Sequence, residues 1–443
     1  MEPWVSGLIV PATFFLVDAR SPTGTVVDTK KHDGVAHFLF DAPPQIQRYH
    51  MALQQWLSPI CLSDVPTSLA VDDDGLYVAF GPRVSRFNLD GSGETHLFDT
   101  LFDVHEMIAA SNFLFANYSL IEDGYYLTAD KTTGAEIDRR RSFYAVVGSS
   151  YAPGLGRLCG RTTGGSPSDI GVRELDDTGM MSYFDDAPYH GDFPDADRTF
   201  VFADETRVTD TSGIVYDALD MTFLNYMGGP IDDMDSLINL SVIVRDDTLY
   251  GFSPAALETG SYRLSNTPSK IYIHDAVIHA FREGGPNGVE VEVVPLNLLT
   301  PDQPVAPVDP TGIDYIADHI EEGADGIYYV LSKTHRSIFR WSFDQRDYLS
   351  SIPLIGEPNY MTYSPELERI YLTYTSGKMT RIDVGAGSLA EEMFAYSLER
   401  PCGLAAAGDF LFVCDPYSWY RDSYMTWGAD GFHVDWIENV LPS

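Results

Sequence analysis

Basic residues are scarce in this chain. Over 443 residues, 28 Lys and Arg stand against 65 Asp and Glu, a formal net charge of −37. A surface of that sign repels nucleic acid and anionic lipid, so nucleic-acid binding is set aside. Lysine is the rarest charged type, with Lys30, Lys31, Lys131, Lys270, Lys333 and Lys378 the full set. The acidic excess has three readings: adaptation to salty surroundings, aspartates serving turns, and attraction of a divalent cation or a cationic partner.

Cysteine is nearly as sparse, with four in all. No pair has the CxxC spacing of a zinc site. Cys402 and Cys414 flank a segment centred on Gly408. If Ala407-Gly408-Asp409 is a hairpin turn, the two face each other, and a disulfide would place the protein in an oxidising compartment. Two small buried apolar residues are the alternative. Cys61 and Cys159 have no evident partner.

Long apolar runs are missing too. Trp4 to Val17 is mostly apolar but follows Glu2, has no basic n-region and is too short to span a bilayer. Phe14-Phe15-Leu16-Val17 reads as a first strand, and no membrane insertion is expected. Helical periodicity is almost absent, with Leu389 to Phe394 the best short candidate. The chain carries no G-x-S-x-G elbow, HExxH, P-loop or dinucleotide fingerprint. The exclusion is incomplete, because an enzyme built from repeats draws its residues from distant segments.

What the chain does have is repetition. Ile46-Gln47-Arg48-Tyr49, Val84-Ser85-Arg86-Phe87, Ile338-Phe339-Arg340-Trp341 and Met379-Thr380-Arg381-Ile382 share the form apolar-x-Arg-apolar. Arg48 and Arg86 are 38 residues apart, Arg340 and Arg381 are 41 apart. Pro-led segments at Pro66, Pro358 and Pro401 precede β-rich runs at Leu76–Phe80, Ile370–Tyr374 and Phe410–Cys414. Trp56-Leu57-Ser58-Pro59-Ile60 resembles Tyr348-Leu349-Ser350-Ser351-Ile352. The order is a Pro-led first strand, a turn, a second strand, an Arg-bearing third strand and a fourth. Asp-Gly turns at Asp33, Asp74, Asp90, Asp123, Asp325 and Asp430 agree. Aromatics at 13%, including 26 Tyr, favour strands.

A unit of roughly 40–45 residues suits one four-stranded propeller blade. The chain resembles the β-propeller repeat superfamily of the bacterial WD40-like and YncE-like kind. The Gly-His and Trp-Asp signature of true WD40 repeats is missing, so the resemblance reaches the blade and no further. The expected fold is all-β, a single closed propeller of four-stranded antiparallel blades spanning 1–443. Within it, 1–24 is an N-terminal extension, 25–296 holds blades, 297–310 is a Pro-rich surface crossing, and 311–443 holds the last blades. Ten candidate units can be drawn. Eight blades are favoured, within a range of seven to ten, by reading short units in 194–296 as halves. Phe432 to Trp436 is expected to pair near the N-terminus and close the ring.

Four features could carry chemistry. The recurring arginines read as structural bridges to aspartates or backbone carbonyls, because a scaffold feature repeats and a site is singular. Asp72-Asp73-Asp74-Gly75 reads as an acidic hairpin turn, since a strand follows where a calcium loop needs a distal Glu. Asp232-Asp233-Met234-Asp235 and Asp185-Asp186 read alike, and no metal ligand set is assigned. No cofactor is expected, with Ca²⁺ the one ion a channel of aspartates would suit. His274 and His279, on strands five residues apart, are expected on opposite faces. His190, in a loop between Tyr189 and Asp192, is the weak catalytic candidate, for proton abstraction. The run Tyr417 to Trp427 is the candidate binding surface, through Tyr417, Trp419, Tyr420, Arg421, Tyr424 and Trp427.

The expectation is a non-enzymatic binding or scaffold module outside the cytoplasm, secreted, periplasmic or at the cell surface, that recognises a protein or a carbohydrate. The alternatives are a carbohydrate-active lyase or hydrolase with its site at the channel mouth, and a subunit of a surface assembly.

Overall fold

The computed structural model describes residues 24–110, 112–118, 124–142, 145–163, 168–189, 193–283, 288–397, 401–415, 423–428 and 433–437. These residues form ten antiparallel sheets, each built from strands consecutive in sequence. Sheets 1 to 10 are numbered in chain order and span 26–61, 68–99, 106–142, 145–186, 199–226, 233–263, 270–295, 319–353, 358–396 and 403–437. Eight have four strands, sheet 1 has five and sheet 7 has three. The short units in 194–296 are therefore separate sheets rather than halves of one.

The repeat maps onto strand order as expected. Ser68–Asp72 and Pro358–Ser364 are first strands, Gly75–Phe80 and Arg369–Tyr374 second strands, and Arg83–Phe87, Ser337–Ser342 and Lys378–Asp383 third strands. Each motif arginine lies directly opposite an aromatic ring of the second strand: Arg48 faces His37, Arg86 faces Tyr77, Arg340 faces Tyr329 and Arg381 faces Tyr371. Cross-strand pairing of this kind fixes register in a sheet packed on both faces. Arg48 donates to the Leu89 carbonyl of sheet 2 at 3.0 Å and to Ser58 of its own sheet at 2.9 Å. Arg86 and Arg340 donate to carbonyls within their own sheets. The bridge between sheets is therefore made by Arg48 and not by Arg86 or Arg340.

Sheets are clasped to one another by carboxylates on first strands. Asp28 accepts the Leu69 amide at 2.8 Å, Glu106 the Ser149 amide at 2.6 Å, and Asp233 the Ile271 amide at 2.7 Å. Each acid thus satisfies a backbone donor of the next sheet's first strand. Sheet 7 packs against sheet 1 through Phe38, Tyr49 and Phe281, with the Phe281 centroid 4.8 Å from Phe38 and 5.4 Å from Tyr49. All three side chains are fully buried; the two phenylalanines each contribute about 1.5–3 kcal/mol on burial. One apolar cluster runs through sheets 4, 5, 6, 9 and 10 and includes Phe200, Tyr216, Phe252, Phe394 and Leu411.

Two readings are corrected, and a third falls outside the described residues. Leu389 to Phe394 is not helical: Glu391–Tyr396 is the fourth strand of sheet 9, its alternation set by pairing with Lys378–Asp383. The pairing expected between Phe432 to Trp436 and the N-terminus falls outside the described residues, as do residues 1–23 with Phe14 to Val17; His433–Ile437 pairs on one side with Ser423–Gly428 of sheet 10. His274 and His279 do not sit on one strand. Asp275 and Ala276, both at positive φ, turn the chain between them. His274 and Tyr272 lie two apart on one strand, and His279 pairs with Tyr272 across the hairpin, so both histidines share a face.

Candidate functional site

The segment 297–310 does more than cross a surface. Thr300 exchanges backbone bonds with Ser261 of sheet 6, and Val305 donates to Leu354 beyond sheet 8 at 3.2 Å. It thereby carries Asp302 to the junction where sheet 9 meets sheet 6.

That junction holds a cleft of about 360 Å³. Lys378 and Tyr396 are a cross-strand pair in sheet 9. Both reach one carboxylate of sheet 6: the Lys378 Nζ lies 2.8 Å from Glu258 Oε1, and the Tyr396 hydroxyl donates to Glu258 Oε2. The same ammonium lies 2.6 Å from Asp302 Oδ2. Burial opposes the lysine's charge, but Glu258 and Asp302 outweigh it and its pKa is raised. Burial drives the Tyr396 hydroxyl well above its ordinary value, with the Glu258 charge adding to it.

Tyr250 and Arg245 of sheet 6, and Tyr374, Ser376 and Gly356 of sheet 9's side, also line it. The Arg245 guanidinium is anchored on the carbonyls of Met227, Gly229 and Pro230 and lies 5.1 Å from the Tyr250 ring centroid. Behind the wall, Glu391 accepts from Tyr374, from Thr380 at 2.6 Å and from the Ile355 amide at 2.8 Å. Burial raises its pKa. The cleft therefore offers fixed donors, fixed acceptors and tyrosine faces in a neutral balance of two cations, Arg245 and Lys378, and two acids, Glu258 and Asp302.

His190, Tyr417, Trp419, Tyr420 and Arg421 lie outside the described residues, as do the side chains of Tyr424 and Trp427, whose backbones form the strand Ser423–Gly428. Cys402 and Cys414 face each other across the hairpin that turns at Gly408, with Cα atoms 5.1 Å apart, within disulfide reach. Asp72-Asp73-Asp74 is a hairpin turn whose cation is Lys131, 2.7 Å from Asp72 and 2.6 Å from Asp74. Asp233 and Asp235 accept amides of sheet 7 and bind Lys270 and Lys31. Among the described residues, no group of three or more His, Cys, Asp or Glu side chains could hold a metal ion.

None of Tyr250, Glu258, Asp302, Tyr374, Lys378 or Tyr396 was singled out as a site residue by sequence reasoning. The signal available was the scarcity of lysine. Lys31, Lys131, Lys270 and Lys378 each bind a carboxylate of a different sheet.

No family model matches the chain, and no curated protein matches it. It resembles solved propeller structures. The WD40 β-propeller domain of Doa1 superposes with a TM-score of 0.46 and 11% identity, over 63% of this chain and 96% of that one. The Dos1 propeller does so with a TM-score of 0.46 and 13% identity, over 62% of this chain and 78% of that one. At these identities the likeness is one of fold alone.

Proposed function

We propose that the chain is a binding module in which sheets 1 to 7 form a closed ring and sheets 8 to 10 dock on its outside, with the junction cleft as the ligand site. The packing of Phe281 on Phe38 and Tyr49, and the ion pair between Lys31 of sheet 1 and Asp235 of sheet 6, support the ring. In this reading seven blades close where eight were favoured, and the single propeller becomes a ring with an appended three-sheet unit joined through 297–310.

The observation that carries the function is the Lys378–Glu258–Tyr396 constellation beside Asp302 in a cleft of about 360 Å³. Its alternating donors and acceptors, with Tyr250 and Tyr374 as ring faces, suit a neutral, hydroxyl-rich ligand, and carbohydrate is the class that matches. The carboxylates of Glu258 and Asp302 share one ammonium, which suits positioning of hydroxyls better than proton transfer and favours binding over glycoside cleavage. A disulfide between Cys402 and Cys414 is part of the proposal and supports a location outside the cytoplasm.

The test is a neutral-glycan array followed by calorimetry on the full chain and on Tyr250→Ala and Ser376→Trp. The reading expects glycan binding that both substitutions weaken by about tenfold or more. Binding unaffected by a tryptophan placed in the cleft, or no glycan bound at all, overturns it.

A further inference from the structure

A second recess, of about 240 Å³, lies between sheets 3 and 4, away from the junction, and its charge runs against that of the chain. Arg140, Arg141 and Arg173 line it with Ser142, Tyr183, Phe184 and a single acid, Asp186. In a protein of net charge −37, three guanidiniums line this recess against one lining carboxylate, with Asp138 paired to Arg140 beside it.

Its origin is the edge strand Glu136–Ser142, whose sequence reads EIDRRRS. Arg139 is consumed by Glu136 at 2.6 Å and by the Tyr118 hydroxyl at 2.6 Å. Arg140 binds Asp138 through Nε at 2.9 Å and lies 5.6 Å from the Tyr183 ring centroid. The Asp138 carboxylate is shared with the backbone amides of Met181 and Arg139. Arg141 lies 5.7 Å from the Tyr125 centroid and is exposed. Arg173 comes from the third strand of sheet 4 and is only 3% exposed. It donates to the Ser182 carbonyl at 2.6 Å and stacks 4.6 Å from Tyr126. Among the described residues no carboxylate lies within ion-pair distance of it. Burial lowers its pKa, as the Arg140 charge does, while Tyr126 and Asp138 act to raise it. A buried cation held on a carbonyl and a ring, at the back of a recess, is a strong place for an anion.

We propose that this recess binds the oxyanion of an acidic sugar residue, a uronate carboxylate or a sugar sulfate. Guanidiniums of Arg140, Arg141 and Arg173 take the oxyanion, and Tyr183, 82% exposed at the mouth, takes the face of the ring that carries it. Guanidinium forks match the geometry of carboxylate and sulfate oxygens, and an aromatic face suits the apolar side of a pyranose. This site does not depend on the junction cleft, and the two are separable by substitution.

The test is calorimetry at low ionic strength with glucuronate, glucose 6-sulfate, glucose and inorganic sulfate, on the full chain and on Arg141→Ala, Tyr183→Ala and Tyr250→Ala. Arg141 and Tyr183 are exposed, so their variants keep the fold where Arg173→Ala could lose it. The proposal expects glucuronate or the sugar sulfate to bind more tightly than glucose. It expects Arg141→Ala to weaken that binding by about tenfold or more, added salt to weaken it, and Tyr250→Ala to leave it unchanged. Equal binding of glucose and glucuronate, or no effect of Arg141→Ala, overturns the site. An adventitious ion only, with inorganic sulfate binding as well as the sugars and Tyr183→Ala without effect, overturns the sugar assignment.

Discussion

Lys378 and Glu258, 120 positions apart in the chain, meet at 2.8 Å and join sheet 9 to sheet 6. Glu258 is 4% exposed on its side chain. An ammonium and a carboxylate withdrawn from water in this way stabilise the docked arrangement only as a pair, because either one alone is a buried uncompensated charge.

Removing one partner should therefore cost more than removing both. Lys378→Met is expected to destabilise the protein by about 3–5 kcal/mol, and Lys378→Met with Glu258→Leu by less. Denaturant melts around the double-mutant cycle measure the difference. Additive losses would show that the pair does not hold the junction.

A second buried pair joins sheets 4 and 5. Arg161 Nη1 lies 3.0 Å from Asp210 Oδ2, with both side chains essentially inaccessible. Burial pushes the Asp210 carboxyl up to about 6 against the pull of Arg161 and Ser212. Asp210→Asn leaves the guanidinium without its charge partner and is expected to cost about 3–5 kcal/mol, read as a fall in the denaturation midpoint. A change within about 0.5 kcal/mol would mean the ion pair is not formed.

Acid should weaken the contact between sheets 7 and 1. His279 packs against Tyr49 and Phe281, and His37 faces Arg48. Burial lowers both imidazoles to about 4, with the charges of His274 and Arg48 respectively adding to it. A folded pKa below the unfolded value means the unfolded chain binds more protons in the interval. Their stabilisation is complete above pH ~6.5 and is lost as pH falls toward ~4, by on the order of 3 kcal/mol per histidine. Asp210 acts oppositely: its pKa is raised, so its contribution is present below pH ~4 and is lost as pH rises through 6. The histidine share is isolated by comparing the pH dependence of the melting temperature in the parent with His279→Phe. The variant should lose part of the slope between pH 6.5 and 4, and identical slopes would contradict the assignment.

The hairpin carrying Cys402 and Cys414 gives a covalent prediction. Intact-mass spectrometry of the non-reduced protein should find two hydrogens fewer than the reduced form. Cys402→Ser with Cys414→Ser should lower stability by about 2–3 kcal/mol. A full complement of free thiols would remove the support for an oxidising compartment.

Strand order was legible in the sequence because it is written in local chemistry. Pro-led first strands, Asp-Gly turns and Arg-bearing third strands recur along the chain, and a two-residue period tolerates little else. The faces of His274 and His279 were misread because a turn at Asp275-Ala276 resets the alternation, and counting residues does not reveal it. The strand Glu391–Tyr396 was misread because its apolar spacing is too short to separate the two periods. The cleft was illegible for a different reason. Glu258, Asp302 and Lys378 come from three segments that only packing brings together, and none carries a local motif. Scarce lysine was the visible trace, since four of the six lysines in this acidic chain join one sheet to another.

The ring with its docked unit is tested most directly by zero-length carbodiimide coupling of the intact protein, followed by peptide mass spectrometry. With six lysines the map of amide links is short. The account predicts a link between Lys31 and Asp235, across the return of sheet 7 to sheet 1, and a link from Lys378 to Glu258 or Asp302 at the junction. Lys31 coupled only within sheet 1, or Lys378 coupled only within sheet 9, would contradict it.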